Sequence, residues 1–205
     1  NRSTDATAQA AATVLAQWDR QANTGSRGTA LFARWQQYWV AQTFMKLSAA
    51  NPMLHGAEQL LDSTLFYATP WEPQAPLDTP QGLFSPLVAV RALSSAAHDL
   101  RRLNLPLAIS WGEVTRLQRD QTDLPAHGGS SALGSFFALD FAANDPSQPG
   151  IQTAVAGAAY LAVIEFDRPL RGVTSMSHGN ASQRGSPHRT DQLPLAAHRT
   201  LRPLL

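Results

Sequence analysis

An α+β architecture is predicted for this chain of 205 residues by three features of its sequence. Apolar residues recur at helical spacing through the first half, prolines crowd residues 69–86, and strand-type alternation begins only after Pro106. Helices first and antiparallel-capable strands later is the pattern of a sheet lying under a helical layer. The predicted divisions are a helical region over 1–68, an extended connector over 69–86, a helix over 87–104, strands over 107–177 and a basic, extended tail over 178–205.

The elements follow in order. Ser3 and Thr4 supply N-cap hydroxyls with Asp5 in the first turn, and Ala8, Ala11, Val14, Leu15 and Trp18 then form one face of a first helix. Turn residues fill NTGSRG, Asn23 to Gly28, and a second helix starts near Thr29. Its Leu31, Phe32, Trp35, Tyr38, Trp39 and Phe44 cover more than one stripe, which predicts burial on several sides. Asn51-Pro52 ends it, because the residue before proline is pushed out of the helical region. A short third helix is predicted over 55–66.

Pro70, Pro73, Pro76, Pro80 and Pro86 exclude a helix interior or central strand, so this stretch reads as a surface connector. Trp71, Leu77, Leu83 and Phe84 predict that it is packed down. Ser85-Pro86 opens the next helix, with Leu87, Val90, Leu93, Ala97 and Leu100 as its apolar face and Asn104 with Pro106 as its stop. Leu107 to Gln118 alternates as a strand, DLPAHGGSSALG (Asp123 to Gly134) reads as a loop, and Ser135 to Phe141 as a second strand. Thr153 to Phe166 reads as one long strand or a pair interrupted at Gly157, and Gly172 to Ser177 as the last strand.

Composition bounds the function. Absence of cysteine excludes disulfides and thiolate metal sites. The longest uncharged apolar run, Ala154 to Ile164, is eleven residues, short of the ~20 that a membrane-spanning helix needs. Asn1 is neither an initiating Met nor the start of a signal peptide, so the expectation is that a preceding segment has been cut away. Net charge is +1, yet from Arg168 to the end the six arginines Arg168, Arg171, Arg184, Arg189, Arg199 and Arg202 stand against the single acid Asp191. With no aromatic residue there to stack a base, nucleic-acid binding is not expected, and the guanidinium groups are expected to pair with acids on a neighbouring surface.

Chemistry is sparse. His55, His98, His127, His178, His188 and His198 miss the spacings of a zinc pair, and HGG from His127 lacks the lysine and following helix of a phosphate loop. Ser182 and Ser186 lack a nucleophile elbow. Ser186, His188 and Asp191 have the composition of a catalytic triad, but three residues within six positions of one loop rarely let the imidazole bridge hydroxyl and carboxylate. The competing reading is a polar turn in which Ser186 precedes Pro187 and His188 and Asp191 satisfy backbone groups.

Several blocks, in order, resemble the C-terminal part of the large subunit of the penicillin acylase family of N-terminal-nucleophile hydrolases. They are WDRQANTGSRGTALFARW (Trp18 to Trp35), DTPQGL (Asp78 to Leu83), WGEVTRL from Trp111 with LPAHGG from Leu124, and GNASQRGSPHRTDQ (Gly179 to Gln192). The branch most similar is that of acyl-homoserine lactone acylases and aculeacin A acylase. His178, the Arg184-Gly185 pair and Arg189 depart from the family pattern.

The resemblance implies part of a four-layer αββα fold and an acyl-enzyme reaction. In it, a serine newly exposed at the start of the large subunit attacks an amide carbonyl with its own α-amino group as base. Asn1 has no hydroxyl for that role, and the family's nucleophile and its partners lie upstream of the matched stretch. The implied chain therefore carries no catalytic residue, no cofactor-binding residue and no metal ligand. Implied partners are the small subunit, the N-terminal part of the large subunit and a small N-acyl amide substrate, with no nucleic acid and no membrane. The implied substrates are N-acyl homoserine lactones and, by extension, β-lactam side chains, and the implied compartment is the periplasm. A free-standing binding module and a serine hydrolase using Ser186 are the alternatives.

Overall fold

The computed structural model describes residues 5–50, 67–130, 135, 137–143 and 145–204. Helices come first and sheets later, as an α+β chain, and the residues divide into two compact units. One comprises residues 1–17 with 31–107, the other residues 18–30 with 108–205. The third helix predicted over 55–66 lies outside the described residues.

In the first unit α1 (Ala6–Ala16) is capped by Asp5, whose carboxylate accepts from the Thr7 N–H at 2.9 Å. Asp5, not a preceding hydroxyl, thus takes the cap, and it also accepts from the Ser94 hydroxyl. That bond leads the causes holding its carboxyl below the usual range. Ala8 and Ala11 are buried, and Ala11 packs with Ala96, Ala97, Leu100 and Leu31. Helix α2 (Thr29–Ala50) starts where turn chemistry predicts, and its predicted stop at Asn51-Pro52 lies outside the described residues. Trp35 stacks on Trp39 with ring centroids 5.0 Å apart, an arrangement that adds ~0.5–1.5 kcal/mol beyond burial, and its indole N–H donates to the Ala89 carbonyl at 3.0 Å.

Helix α3 (Pro86–Arg102) begins at Ser85-Pro86 as predicted, but the Ser85 hydroxyl accepts from Lys46 Nζ at 3.0 Å instead of capping. It ends in a Schellman motif: Asn104 is left-handed at φ 57°, and the Leu105 and Asn104 N–H groups reach the Leu100 and Arg101 carbonyls at 2.9 Å each. The buried face keeps Leu93, Ala97 and Leu100 of the predicted one but is rotated away from the rest. Val88, Ala89, Ala92, Ala96, Ala97 and Leu100 point inward, while Leu87 and Val90 are exposed. Reading the larger residues as the core stripe overlooked that small side chains let helices approach closely.

The connector also differs from expectation. Strands β1 (Tyr67–Thr69) and β2 (Gln81–Leu83) pair antiparallel, so the prolines sit in an arch closed by a short ladder, and Thr79 Oγ1 ties it by accepting from the Glu72 N–H at 2.9 Å. Leu83 packs beside the core and Phe84 lies 5.5 Å below the Lys46 ammonium, but Leu77 and Trp71 face outward. The Leu77 and Trp71 expectation is thereby corrected: the arch is held by its backbone rather than by these side chains.

In the second unit the sheet runs β4-β3-β6-β5, from β3 (Thr115–Arg119), β4 (Thr122–Pro125), β5 (Leu139–Ala142) and β6 (Gln152–Gly157). A second sheet runs β7-β8-β9, from β7 (Tyr160–Glu165), β8 (Arg171–Met176) and β9 (Arg202–Pro203). The stretch 153–166 is thus a pair of strands parted after Gly157. Two expectations are corrected. Residues 111–114 form a helical turn, α4 (Trp111–Val114), because Glu113 reaches back to accept from the Ser110 N–H at 3.0 Å and from its hydroxyl, a capping-box signature that outweighs the alternation. The tail is not extended throughout: a 3-10 turn (Pro187–Arg189) leads into α5 (Leu193–His198). Leu193, Ala196 and Ala197 close that unit's core with Leu117, Ala126 and Leu139, a helical stripe at i, i+3, i+4.

Because Ala96 is fully buried among close-packed alanines, Ala96→Leu is expected to lower the stability of the chain by ~1–3 kcal/mol through overpacking. Leu87→Ala, on the outward face, should stay within ~0.5 kcal/mol, both read by urea denaturation.

Candidate functional site

Residues 18–29 fold into a closed turn. The Trp18 indole N–H donates to the Gln21 carbonyl at 3.1 Å and the Thr29 hydroxyl at 2.9 Å, and Thr29 in turn donates to Gln21 at 2.6 Å. Asp19 accepts from the Gln21 N–H at 3.0 Å and the Ser26 hydroxyl at 2.8 Å. Gly28, at φ 127°, lies against Trp18 so closely that a Cβ would stand 2.7 Å from its side chain, so only glycine satisfies both backbone and contact.

This turn presents alternate carbonyls to the rest of the unit. The Ala22 carbonyl accepts from the Gly128 N–H at 2.8 Å, Thr24 from Gly112 at 2.8 Å and Ser26 from Trp111 at 3.0 Å. The Trp111 indole N–H donates to the Gly128 carbonyl at 2.6 Å, which closes the circle. His127 Nδ1 accepts from the Thr24 N–H at 3.3 Å, and Arg199 donates to Asn23 Oδ1 at 2.5 Å. Burial, then the nearby Arg199 charge, pushes the His127 imidazole below its ordinary range.

The second cluster is the loop ahead of α5. Ser186 Oγ accepts from the His188 backbone N–H at 3.3 Å, capping the 3-10 turn, while His188 Nδ1 lies 3.2 Å from Asp191 Oδ2. The three residues come together, but the serine is joined to the backbone of His188 and not to its ring. Arg189 donates to Asp120 at 2.5 Å and to the Ser182 carbonyl, and its bond leads the causes holding the Asp120 carboxyl below the usual range. Gln192, 1% exposed, accepts from the Met176 N–H at 2.9 Å through its side chain and donates its backbone N–H to the His178 carbonyl at 2.9 Å. A Cβ on Gly179 would sit 2.2 Å from the His188 carbonyl oxygen, so the loop rests directly on that glycine.

Other candidates take structural places. The Gly128 and Gly129 N–H groups are directed at the Ala22 and Phe137 carbonyls, which leaves the HGG loop no paired donors for a phosphate. His98 lies 3.8 Å from Asp5, His198 Nδ1 lies 2.7 Å from the Pro194 carbonyl, and His55 is outside the described residues. Among the described residues no three His, Asp or Glu side chains gather as a metal site, and no helix is long and apolar enough to cross a membrane. An open cleft of about 310 Å³ lies beside β6, lined among others by Leu117, Arg119, Leu139, Ala154, Met176 and His178.

Of the blocks, Trp111 to Leu117, Leu124 to Gly129 and Gly179 to Gln192 lie in the second unit with residues 18–30 of the first block, whereas residues 31–35 of that block and Asp78 to Leu83 lie in the first unit. Within the second unit the segments Trp18 to Gly28, Trp111-Gly112 and Leu124 to Gly129 are bonded to one another. Comparison with known proteins accounts for their co-occurrence. The penicillin amidase family model matches residues 2–205. The chain belongs to that family. Among curated relatives, the chain is 29% identical over 147 residues to an acyl-homoserine lactone acylase of Pseudomonas syringae pv. syringae, an alignment covering 66% of the chain and 18% of the relative. Its counterpart in Pseudomonas fluorescens is 28% identical over 142 residues, with the same coverage. The chain therefore spans about a fifth of the length of the curated relatives it matches. A solved thermostable penicillin G acylase from Alcaligenes faecalis aligns over 98% of this chain and 40% of its own, with 17% identity and a TM-score of 0.40.

Sequence reasoning missed the carbonyl row and the roles of His127, Arg189 and Asp120. Backbone acceptors leave no residue-type signal, and the Arg189 pair joins positions 69 apart. Only Trp18 and Gly28, separated by ten positions within one turn-rich block, carried a readable hint.

Since the folded chain keeps His127 neutral below its ordinary range, the unfolded chain binds the extra proton first. Stability from this group is complete above about pH 6.5, the unfolded value, and is lost as pH falls through the lowered folded value. His127→Asn keeps an acceptor for Thr24, and the expected result is a flatter stability profile between about pH 7 and 5, measured by urea titration at each pH.

Proposed function

We propose that the chain is a non-catalytic, C-terminal segment of the large subunit of an amidohydrolase that deacylates N-acyl homoserine lactones. The nucleophile is an N-terminal serine on companion polypeptides of the same precursor, and the segment supplies shape and support to them. One observation carries this reading: the family match runs along essentially the whole chain while the chain spans only 18% of the relatives named acyl-homoserine lactone acylase. The geometry of the Ser186 loop favours it too, since the hydroxyl caps a backbone turn and the imidazole faces Asp191. An activated serine needs its hydroxyl on the imidazole, with the carboxylate on the far ring nitrogen.

The role is mechanical in this reading. The carbonyl row and the Arg189 bonds hold a rigid scaffold, and positioning of reacting groups elsewhere depends on such rigidity, because small misplacements cost large factors in rate. The N-acyl amide is bound and cleaved on the companion segments, by an acyl-enzyme that water then hydrolyses. Export to the periplasm belongs to the same proposal.

Native mass spectrometry of the purified assembly tests it, with co-purifying polypeptides expected and one of them beginning with serine. In that assembly Ser186→Ala should leave turnover of an N-acyl homoserine lactone within ~2-fold, as expected for a group outside the chemistry. Hydrolysis by the chain alone, abolished by the same substitution, would overturn the reading in favour of an independent serine hydrolase.

A further inference from the structure

Strand β7 has the side chains of a strand with neighbours all round and the position of a strand at an edge. Its residues Tyr160 to Ile164 are apolar on both faces, a pattern that belongs to strands covered on both sides. In the second unit they are instead open: Tyr160 and Val163 are 56% exposed, Leu161 41% and Ile164 43%. From Tyr160 to Ile164 β7 carries none of the devices that protect free edges, neither proline nor charge nor an irregularity in its register with β8, and its single charge, Glu165, stands only at the strand's end.

The ladder fixes which peptide groups are available. Tyr160 pairs with Met176 and each following residue steps in register to Glu165 with Arg171. The Ser177 N–H donates to the Ala159 carbonyl at 3.1 Å, so pairs alternate from there between bonded and non-bonded. Leu161, Val163 and Glu165 bond to β8, and Tyr160, Ala162 and Ile164 direct their N–H and C=O groups away from it. The Gly172 carbonyl agrees, since it accepts from the Leu204 N–H at 2.8 Å on the far side of β8 rather than facing Ile164. Sheet order β7-β8-β9 leaves that outer row without a strand among the described residues.

Three peptide groups at strand spacing, flanked by apolar side chains above and below, are complementary to one kind of occupant. A helix satisfies its own backbone and a small apolar ligand has no matching donors, whereas an extended segment meets both demands at once. We infer that the outer edge of β7 receives an added β-strand, apolar on both faces, from the remaining polypeptide of the same acylase. This rests on the assembly proposed above; the relatives extend well beyond the 18% that this chain spans, so the chain length needed for such a strand exists in them.

Ala162→Pro tests the edge selectively. It removes an N–H that points outward, leaving the β7–β8 bonds in place, and proline is tolerated on an edge strand in that orientation. Ala162→Val keeps the N–H and serves as control. Each variant is expressed together with the remaining acylase polypeptide, and the yield of assembled complex is measured; the expected result is at least a tenfold loss for Ala162→Pro and none for Ala162→Val. Hydrogen exchange of the peptide spanning 159–166 provides a readout on the unaltered chain, with at least tenfold slower exchange expected in the assembly than in the chain alone. Assembly of the proline variant at the normal level, with unprotected 159–166 amides, overturns the strand while leaving the parent reading intact. Failure of the unaltered chain to co-assemble overturns both, and a self-dimer of the chain that Ala162→Pro abolishes assigns the edge to a second copy instead.

Discussion

Three carbonyl groups of one turn, those of Ala22, Thr24 and Ser26, hold the second unit together. They accept amides from Gly128, Gly112 and Trp111, residues about a hundred positions away, so a segment of the chain's first part is sewn into a unit otherwise made from its second half. Buried peptide groups left without partners cost ~1–3 kcal/mol each, which makes the row a constraint on every segment that meets it. Gly112 meets it because a side chain there would collide with Thr24 and Pro125. The conformation of the turn is set in turn by Trp18 bonding across it and lying on Gly28.

From that row the rest of the unit follows. With Trp111 and Gly112 fixed, the capped turn of α4 delivers β3 into its sheet, and with His127 and Gly128 fixed, β4 pairs beside it. Helix α5 covers the sheet through Leu193, Ala196 and Ala197. Ahead of it the Ser186 to Gln192 loop is held by Arg189 on Asp120 and by the buried Gln192 side chain on Met176. The polar residues that look like chemistry are thereby committed to backbone groups and to one another. The first unit works on a different principle, close packing of alanines between α1 and α3, with paired indoles on α2 filling the remaining space.

How much of this was legible in the sequence depended on the range of the interaction. Local signals succeeded: Pro86 started α3, Asn104 ended it in the left-handed conformation, and Gly157 parted β6 from β7. Two local signals are masked in the sequence by a competing pattern yet prevail in the structure, the Ser110 to Glu113 capping box over alternation and the Leu193 stripe over the basic character of the tail. The inward face of α3 was only half readable from hydrophobicity: Leu93, Ala97 and Leu100 do pack on the core, but Ala89, Ala92 and Ala96 were passed over because alanine carries little hydrophobicity while permitting the closest approach. Within the candidate site, block order was enough to place the chain in its family, and composition named Ser186, His188 and Asp191. Which atoms they meet was set by tertiary geometry that no spacing encodes.

The account thus rests on a scaffold whose specificity lies in the backbone of a short turn, and native-state hydrogen exchange addresses it most directly. The Trp111, Gly112 and Gly128 amides sit in loop or single-turn segments, where exchange is ordinarily fast. If the carbonyl row organises the unit, they exchange only by global opening, as slowly as the central amides of β3. Exchange of these three at loop-like rates while β3 stays protected would contradict the central claim.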